Sequence, residues 1–480
     1  MNPGGCLISS ISTSEQNLAA GASDFLTGVI EGFYGPPWSA VERAVLFARM
    51  AAWGMNTYLY APKDDLKHRA IWREPYLPEE AEVLRRLIGD AHSRGLRFIY
   101  ALAPGLDVRY SDRAEFEHLV RRVEQMIGLG CSNFALLFDD IPDRMHAEDS
   151  ARFGSFAEAQ CDLTNRLFEW IRRRTPHARF LFCPTPYCGR MAERELGGRG
   201  YLATAGRLLA GDIQVFWTGP EIISREISVA HLREVASVLR RKPLLWDNLY
   251  ANDYDGRRFF CGPYSGRAPE IRSEISGIMS NPNTEFPLNY VGLRTCAEFS
   301  RSEGGWNPRE AYLRAVRDWA AQFATVSQPV PFEDLVLLGD AFYLPHEDGP
   351  EAQALFAAIQ ELMGSNPTTW RTETLDTFRE RATRLRDCCA RVAELRDRPL
   401  FYALSRRVWE LREELDLLLG AVQLMAKQGQ AQQPIHSDFH LPGTYRGSLV
   451  ARLQQLLEQQ SDGALAPRAR CADSANQRPA

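Results

Sequence analysis

Asn133-Phe134-Ala135-Leu136-Leu137-Phe138-Asp139-Asp140-Ile141-Pro142 is the segment that decides the fold. Five apolar residues run directly into two carboxylates, and Ile-Pro then closes the segment. So short an apolar run reads as a strand buried on both faces, the pattern of a parallel sheet. Asp139 and Asp140 then fall at the strand's C-terminal end, where parallel α/β folds hold their chemistry. No Lys or Arg adjoins either carboxylate in the sequence. Two acids crowded at the rim of an apolar strand cannot both ionise cheaply, so one pKa is expected to rise. The same pair would serve equally as a cap for the next helix or as the brace of a turn.

Outward from this strand the chain alternates β-rich runs with amphipathic stretches. The runs are Leu26–Ile30, Asn56–Tyr60, Arg97–Ala101, Phe134–Phe138, Arg179–Cys183, Ile213–Trp217, Pro243–Trp246 and Gly277–Met279. Helical patterns lie between them, among them Ala40–Trp53, Pro78–Ser93, Arg113–Leu129 and Phe156–Arg173. Eight strands alternating with helices over about 275 residues match a (β/α)8 TIM barrel. A doubly wound open sheet would show a glycine-rich phosphate turn after its first strand. Here that strand ends in Glu31-Gly32-Phe33-Tyr34-Gly35-Pro36-Pro37-Trp38, an aromatic loop without GxGxxG. Polar residues collect at the strand ends, in Lys63-Asp64-Asp65, Pro184-Thr185-Pro186-Tyr187, Trp246-Asp247-Asn248, Asn252-Asp253-Tyr254-Asp255 and Ser280-Asn281-Pro282-Asn283. A barrel brings such ends to one face, giving a polar cup with aromatic walls suited to a carbohydrate. Singly, each of these loop residues is an ordinary turn former.

Past Pro329 the strand signal stops. Ala352–Met363, Leu375–Arg396, Tyr402–Ala426 and Gly447–Gln459 carry apolar residues at helical spacing, the pattern of a helical bundle. Expected boundaries are a barrel over 25–325, a bundle over 326–460, and disordered ends at 1–24 and from Ser461 on. Pro434–His440 holds two histidines, but its spacing resembles no common zinc pattern and reads as an interhelical loop.

The chain has 480 residues, 45% hydrophobic and 24% charged, with a net charge of −5. That balance gives no reason to expect nucleic acid or an anionic membrane as partner. The first residues lack the basic start and apolar centre of a secretory signal, and no apolar stretch would span a bilayer. Ten cysteines without a CxxC pair read as reduced thiols in the cytoplasm. With nine histidines, none beside a predicted strand end, neither a metal nor another cofactor is expected.

Gly28-Val29-Ile30-Glu31-Gly32-Phe33-Tyr34-Gly35, Tyr60-Ala61-Pro62-Lys63-Asp64-Asp65, Leu136-Leu137-Phe138-Asp139-Asp140-Ile141, Trp246-Asp247-Asn248 and Ser280-Asn281-Pro282-Asn283 resemble glycoside hydrolase family 84. His346–Pro350, Trp409–Arg412 and Gly443–Gly447 resemble the helical stalk of its animal-type members. The best-known members are O-GlcNAcases, which remove β-linked N-acetylglucosamine from Ser and Thr. The resemblance implies a retaining, substrate-assisted hydrolysis, an exception to the scheme of two catalytic carboxylates. In it Asp139 steadies the attacking acetamido group, and Asp140 is general acid and then base. Gly32 and Lys63 would meet sugar hydroxyls; Asn248 and Tyr187 would hold the acetamido group, with Trp246 as wall. Asp253 and Asn281 would bind further hydroxyls. The family usually has an acid where Pro186 stands; Pro fixes φ and removes an N–H, which leaves the orientation of Tyr187 open. The stalk's long insertion and a terminal acetyltransferase-like domain are not seen, which reads as a compact form. The resemblance also implies a homodimer through the stalk. The other readings are a hexosaminidase for free glycans or hyaluronan fragments, a lectin-like barrel for N-acetylated glycans, and a metal-dependent barrel hydrolase.

Overall fold

A computed structural model of the chain describes residues 25–427 and 447–468. Eight parallel strands close into a barrel in chain order, with β1 paired to both β2 and β8. They are β1 Leu26–Glu31, β2 Thr57–Tyr60, β3 Arg97–Leu102, β4 Asn133–Leu137, β5 Phe180–Cys183, β6 Ile213–Trp217, β7 Leu244–Asp247 and β8 Gly277–Ser280. Alternation sorts their side chains. Ile99 and Ala101, Ala135 and Leu137, and Leu181 and Cys183 fill the interior with Leu26, Leu59 and Leu244. Outward-facing Tyr58 packs edge-on against Phe47 of the helix Ala40–Ala52, ring centroids 4.9 Å apart. Closure is tight at Gly28, where a Cβ would lie 1.6 Å from the Thr57 carbonyl oxygen; only glycine permits that approach.

The helices between strands begin where local chemistry caps them. Ser39 and Glu42 form a capping box for Ala40–Ala52, Asp112 caps Arg113–Gly128, and Ser155 caps Phe156–Arg172. Two strand-end acids are structural. Glu31 accepts from Arg43 Nη2 at 2.6 Å and Nε at 2.9 Å, and from the Tyr58 hydroxyl. Asp247 takes both arms of Arg267 at 2.8 Å, and the two side chains are 1% and 0% exposed. Removing one partner of a buried pair strands the other charge, so Arg267→Met should cost about 3–5 kcal/mol. Chemical denaturation against the wild type checks this; an unchanged midpoint would remove the pair from the list of fold-holding contacts.

The chain divides into two compact units. The barrel unit runs through Asn248 and includes Gly266–Asn281 and Ala297–Trp306; the other comprises Leu249–Ser265, Pro282–Cys296 and the chain from Asn307 on. In the second unit Thr372–Val392 packs on both Pro350–Met363 and Arg398–Ala426. Phe332–Ala341 is also a helix, missing from the expected set because its apolar residues run continuously and show no period. The helix expected over Gly447–Gln459 ends at Gln454. Leu457–Gln459 instead pairs antiparallel with Leu465–Pro467, so the segment expected to be loose from Ser461 forms a hairpin as far as it is described. Pro434–His440 and Gly443–Arg446 lie outside the described residues. Among the described residues no helix is long and apolar enough to cross a membrane.

Candidate active site

The C-terminal rim of the barrel holds Gly32, Lys63, Asp139, Asp140, Tyr187, Trp246, Asn248 and Asn281, in or just beyond the ends of their strands. Beyond β4, Asp139 is buried while Asp140 stands exposed with φ 50°. A left-handed backbone costs a residue with a Cβ about 1–2 kcal/mol, so its neighbours must hold it there. Arg69 donates to the carbonyl oxygens of Asp139 and Asp140, from Nη1 at 3.3 Å and Nη2 at 2.7 Å. Each Asp140 carboxylate oxygen accepts a phenol: Oδ1 from Tyr187 at 2.8 Å and Oδ2 from Tyr34 at 3.1 Å. Burial first, and Asp140 second, push both phenols well above their ordinary pKa, so both donate throughout the physiological range.

Asp139 is held differently. Lys63, 76 residues earlier in the chain, donates to its Oδ2 at 2.5 Å, with the two side chains 2% and 10% exposed. Burial alone would raise the Asp139 pKa. The Lys63 ammonium, then Arg69 and the Lys63 hydrogen bond, outweigh it and hold the carboxyl below the ordinary aspartate value. The upward shift expected from two crowded acids therefore does not fall on Asp139, because the neutralising cation comes from a distant loop. His68 lies beneath, its Nδ1 2.7 Å from the Ala101 carbonyl oxygen. Burial, then Lys63, lower its pKa to about 4, so it is neutral. The other Asp139 oxygen, Oδ1, is buried with no hydrogen-bond partner.

Trp246, at the end of β7, forms the adjoining wall. Its ring meets Phe216 edge-on at 5.1 Å and lies 6.0 Å from Lys63 Nζ. Trp246 is thus both pocket wall and barrel core. Gly32 backs it: a Cβ there would lie 2.8 Å from Trp246 Cζ2. Gly32→Ala should therefore push the indole into the cup and raise KM more than it lowers kcat, by about tenfold for a contact of 1–2 kcal/mol. Unchanged KM would place the ring outside the sugar site.

Contacts join Gly32, Lys63, Asp139, Asp140, Tyr187 and Trp246 into one continuous set. Asn248 and Asn281, at the ends of β7 and β8, form a second pair. Asn281 Nδ2 donates to Asn248 Oδ1 at 2.9 Å, and Asn248 Nδ2 to the Ile222 carbonyl at 2.8 Å. Asn281 Oδ1 is buried without a partner. Asp253 belongs to the second unit and is half-buried there. In the same unit Asn283 is structural, bonded through its amide to the Phe260 N–H and carbonyl at 2.8 and 2.9 Å. Tyr187 follows Pro186 yet reaches Asp140, so its phenol is committed to that carboxylate. Tyr34 and Arg69 were not singled out in the sequence. Tyr34 sits inside the Gly28–Gly35 motif, whereas Arg69 gives no local signal beyond being a cation in the loop that carries Lys63. Among the described residues, no three of His, Cys, Asp and Glu gather as a metal-ligating group.

A closed (β/α)8 barrel with an ion-paired aspartate beside a phenol-bound aspartate at its active rim has the layout of a glycoside hydrolase. The chain belongs to the β-N-acetylglucosaminidase family, whose family model matches residues 27–330. It is 48% identical over 284 residues to the Protein O-GlcNAcase of Rattus norvegicus and, equally, to that of Mus musculus. Each match takes in 59% of this chain and 31% of the relative, so the chain spans under a third of the length of these proteins. Among solved structures, an aspartate-to-asparagine mutant of Thermobaculum terrenum O-GlcNAc hydrolase superposes with a TM-score of 0.73 at 31% identity. That match covers 83% of this chain and 84% of the other. The barrel followed by an all-helical bundle therefore agrees with the family 84 resemblance.

Proposed function

We propose that the chain is a retaining, substrate-assisted glycosidase that removes β-linked N-acetylglucosamine from Ser and Thr of glycoproteins through an oxazoline. The observation that carries this reading is the unequal state of the two aspartates. Asp139 is buried and held ionised by Lys63, with one oxygen unpartnered; Asp140 is exposed and held by two phenols. An ionised, buried carboxylate with a vacant acceptor suits an acetamido N–H, and stabilises the positive charge that grows as the amide oxygen attacks the anomeric carbon. The exposed Asp140 is placed to protonate the departing Ser or Thr oxygen. It then takes a proton from the water that opens the oxazoline. Lys63 and Asn281 would bind ring hydroxyls, Asn248 and Tyr187 would border the acetamido group, and the Gly32 carbonyl and Trp246 would complete the wall.

The substrate class draws on the names of the relatives, which are O-GlcNAc enzymes. The test is hydrolysis of an aryl N-acetyl-β-glucosaminide, an O-GlcNAc peptide and a hyaluronan oligosaccharide by the wild type, Asp139→Asn and Asp140→Asn. Turnover of the first two, lost in both variants, supports the reading; preference for the oligosaccharide redirects it to free glycans. The proposed assembly is a homodimer through the helical bundle. Tyr402 and Trp409, seven residues apart on Arg398–Ala426 and 70% and 44% exposed, supply an apolar patch on one face. Sedimentation giving only monomer at micromolar concentration would reject it. The proposed location is the cytoplasm, supported by eight described cysteines that are all buried and outside any disulfide.

A further inference from the structure

The loop after β2 carries a cation whose purpose is not met by the chemistry above. Arg69 is 6% exposed, yet both of its arms are turned to backbone carbonyls, those of Asp139 and Asp140. These carbonyls belong to consecutive residues just beyond the ladder, whose last rung here is the Phe138 N–H to the Cys183 carbonyl at 3.0 Å. The second of them, Asp140, is the one whose φ is 50°. Relaxing Asp140 to an extended or right-handed backbone would rotate the adjoining peptide planes and swing its carboxyl off Tyr34 and Tyr187. A guanidinium suits the task of preventing this, because its donors form a rigid planar fork and it stays charged when buried. An ammonium at the same place would offer a single point of attachment.

We propose that Arg69 is a positioning residue for proton transfer, gripping the two carbonyls so that the left-handed turn aims the Asp140 carboxyl at the leaving-group oxygen. The proposal rests on the reading of Asp140 as general acid. Arg69 has a second effect, since its charge is among those that keep Asp139 ionised. The two effects separate by substitution: Arg69→Lys keeps the charge and breaks the fork, while Arg69→Met removes both.

The test is kcat/KM for aryl N-acetyl-β-glucosaminides whose phenols run from poor to good leaving groups, because only a poor one needs the acid. A misplaced acid costs up to about 100-fold, so Arg69→Lys should lose about 10- to 100-fold on the poorest phenol and under about threefold on the best. Its dependence on phenol acidity then steepens toward that of Asp140→Asn. A merely structural defect lowers the active fraction and scales every substrate alike. The pH profile gives a second readout: the acid limb stays in place in Arg69→Lys and moves to higher pH in Arg69→Met. A uniform loss, or none, across the series in Arg69→Lys overturns the proposal while Asp140→Asn still steepens. Should Asp140→Asn fail to steepen, the acid assignment falls and the proposal with it. Arg69→Lys conserves charge and approximate volume, so it carries the test even if Arg69→Met does not fold.

Discussion

Asp140→Asn is expected to bind an N-acetylglucosaminide as the wild type does and to turn it over about 10² to 10⁴ times more slowly. The amide keeps the size of the carboxyl, but its single oxygen can accept from only one of the Tyr34 and Tyr187 phenols and its Nδ2 must donate to the other; it neither gives nor takes the proton. The loss should fall unequally on the two steps. An activated aryl leaving group departs without an acid, so kcat/KM for a nitrophenyl glycoside should drop far less than kcat, which then reports slow opening of the oxazoline. A pre-steady-state burst of nitrophenol would mark that change of limiting step. Equal falls in kcat and kcat/KM on the activated substrate would count against Asp140 as the base of the second step.

Lys63→Met should move the acid limb of kcat/KM upward in pH and lower the rate at pH 7 by roughly 10²-fold, the scale for loss of one electrostatic stabiliser in a closed site. The sign follows from the opposed influences on Asp139. Burial raises its pKa, and the Lys63 charge is the largest influence that brings it down. Without that charge burial prevails, Asp139 takes a proton at higher pH, and the carboxylate needed beside the acetamido group is lost. The pairing is also a linkage between acid and stability. A carboxyl whose folded pKa is depressed stabilises the fold above its unfolded pKa of about 3.9, and this contribution disappears as pH falls through the folded value. Wild-type thermal midpoints should therefore decline on acidification below pH 5 more than those of the variant. An acid limb at the same pH in Lys63→Met would show that Asp139 does not depend on this partner.

The barrel was legible because buried parallel strands write themselves as short apolar runs. The apolar run Ile213–Trp217 coincides with β6 at both ends, and β4, Asn133–Leu137, lies one residue before the run Phe134–Phe138. The longest helix begins at Arg398 rather than Tyr402, although Asp397 as cap and Pro399 in the first turn were local signals for that start. Phe332–Ala341 shows no period, because Leu335–Leu338 is a continuous apolar run, although Glu333 and Asp334 in the first turn mark its start. Gln454 closes a helix whose apolar pattern continues into Leu457, since pairing with Leu465–Pro467 overrides the local period. In the site, the aspartate pair and the Asn248 and Asn281 positions stood at strand ends and were readable as such. The charge state of Asp139 was not. It depends on Lys63 and Arg69, which lie 76 and 70 residues away and meet it only once the barrel closes. Tyr34 and Tyr187 likewise converge on Asp140 from the β1 and β5 loops, 106 and 47 positions away in the chain.

The most direct test of the mechanism replaces the substrate's acetamido methyl with its mono-, di- and trifluorinated forms on one aryl glycoside. Fluorine weakens the amide oxygen as a nucleophile and leaves the aspartates unchanged. If the sugar's own amide attacks the anomeric carbon, log kcat/KM falls steeply and linearly with the electron withdrawal of the acyl group. A flat response would mean that the amide is a spectator and that a protein carboxylate or water makes the bond.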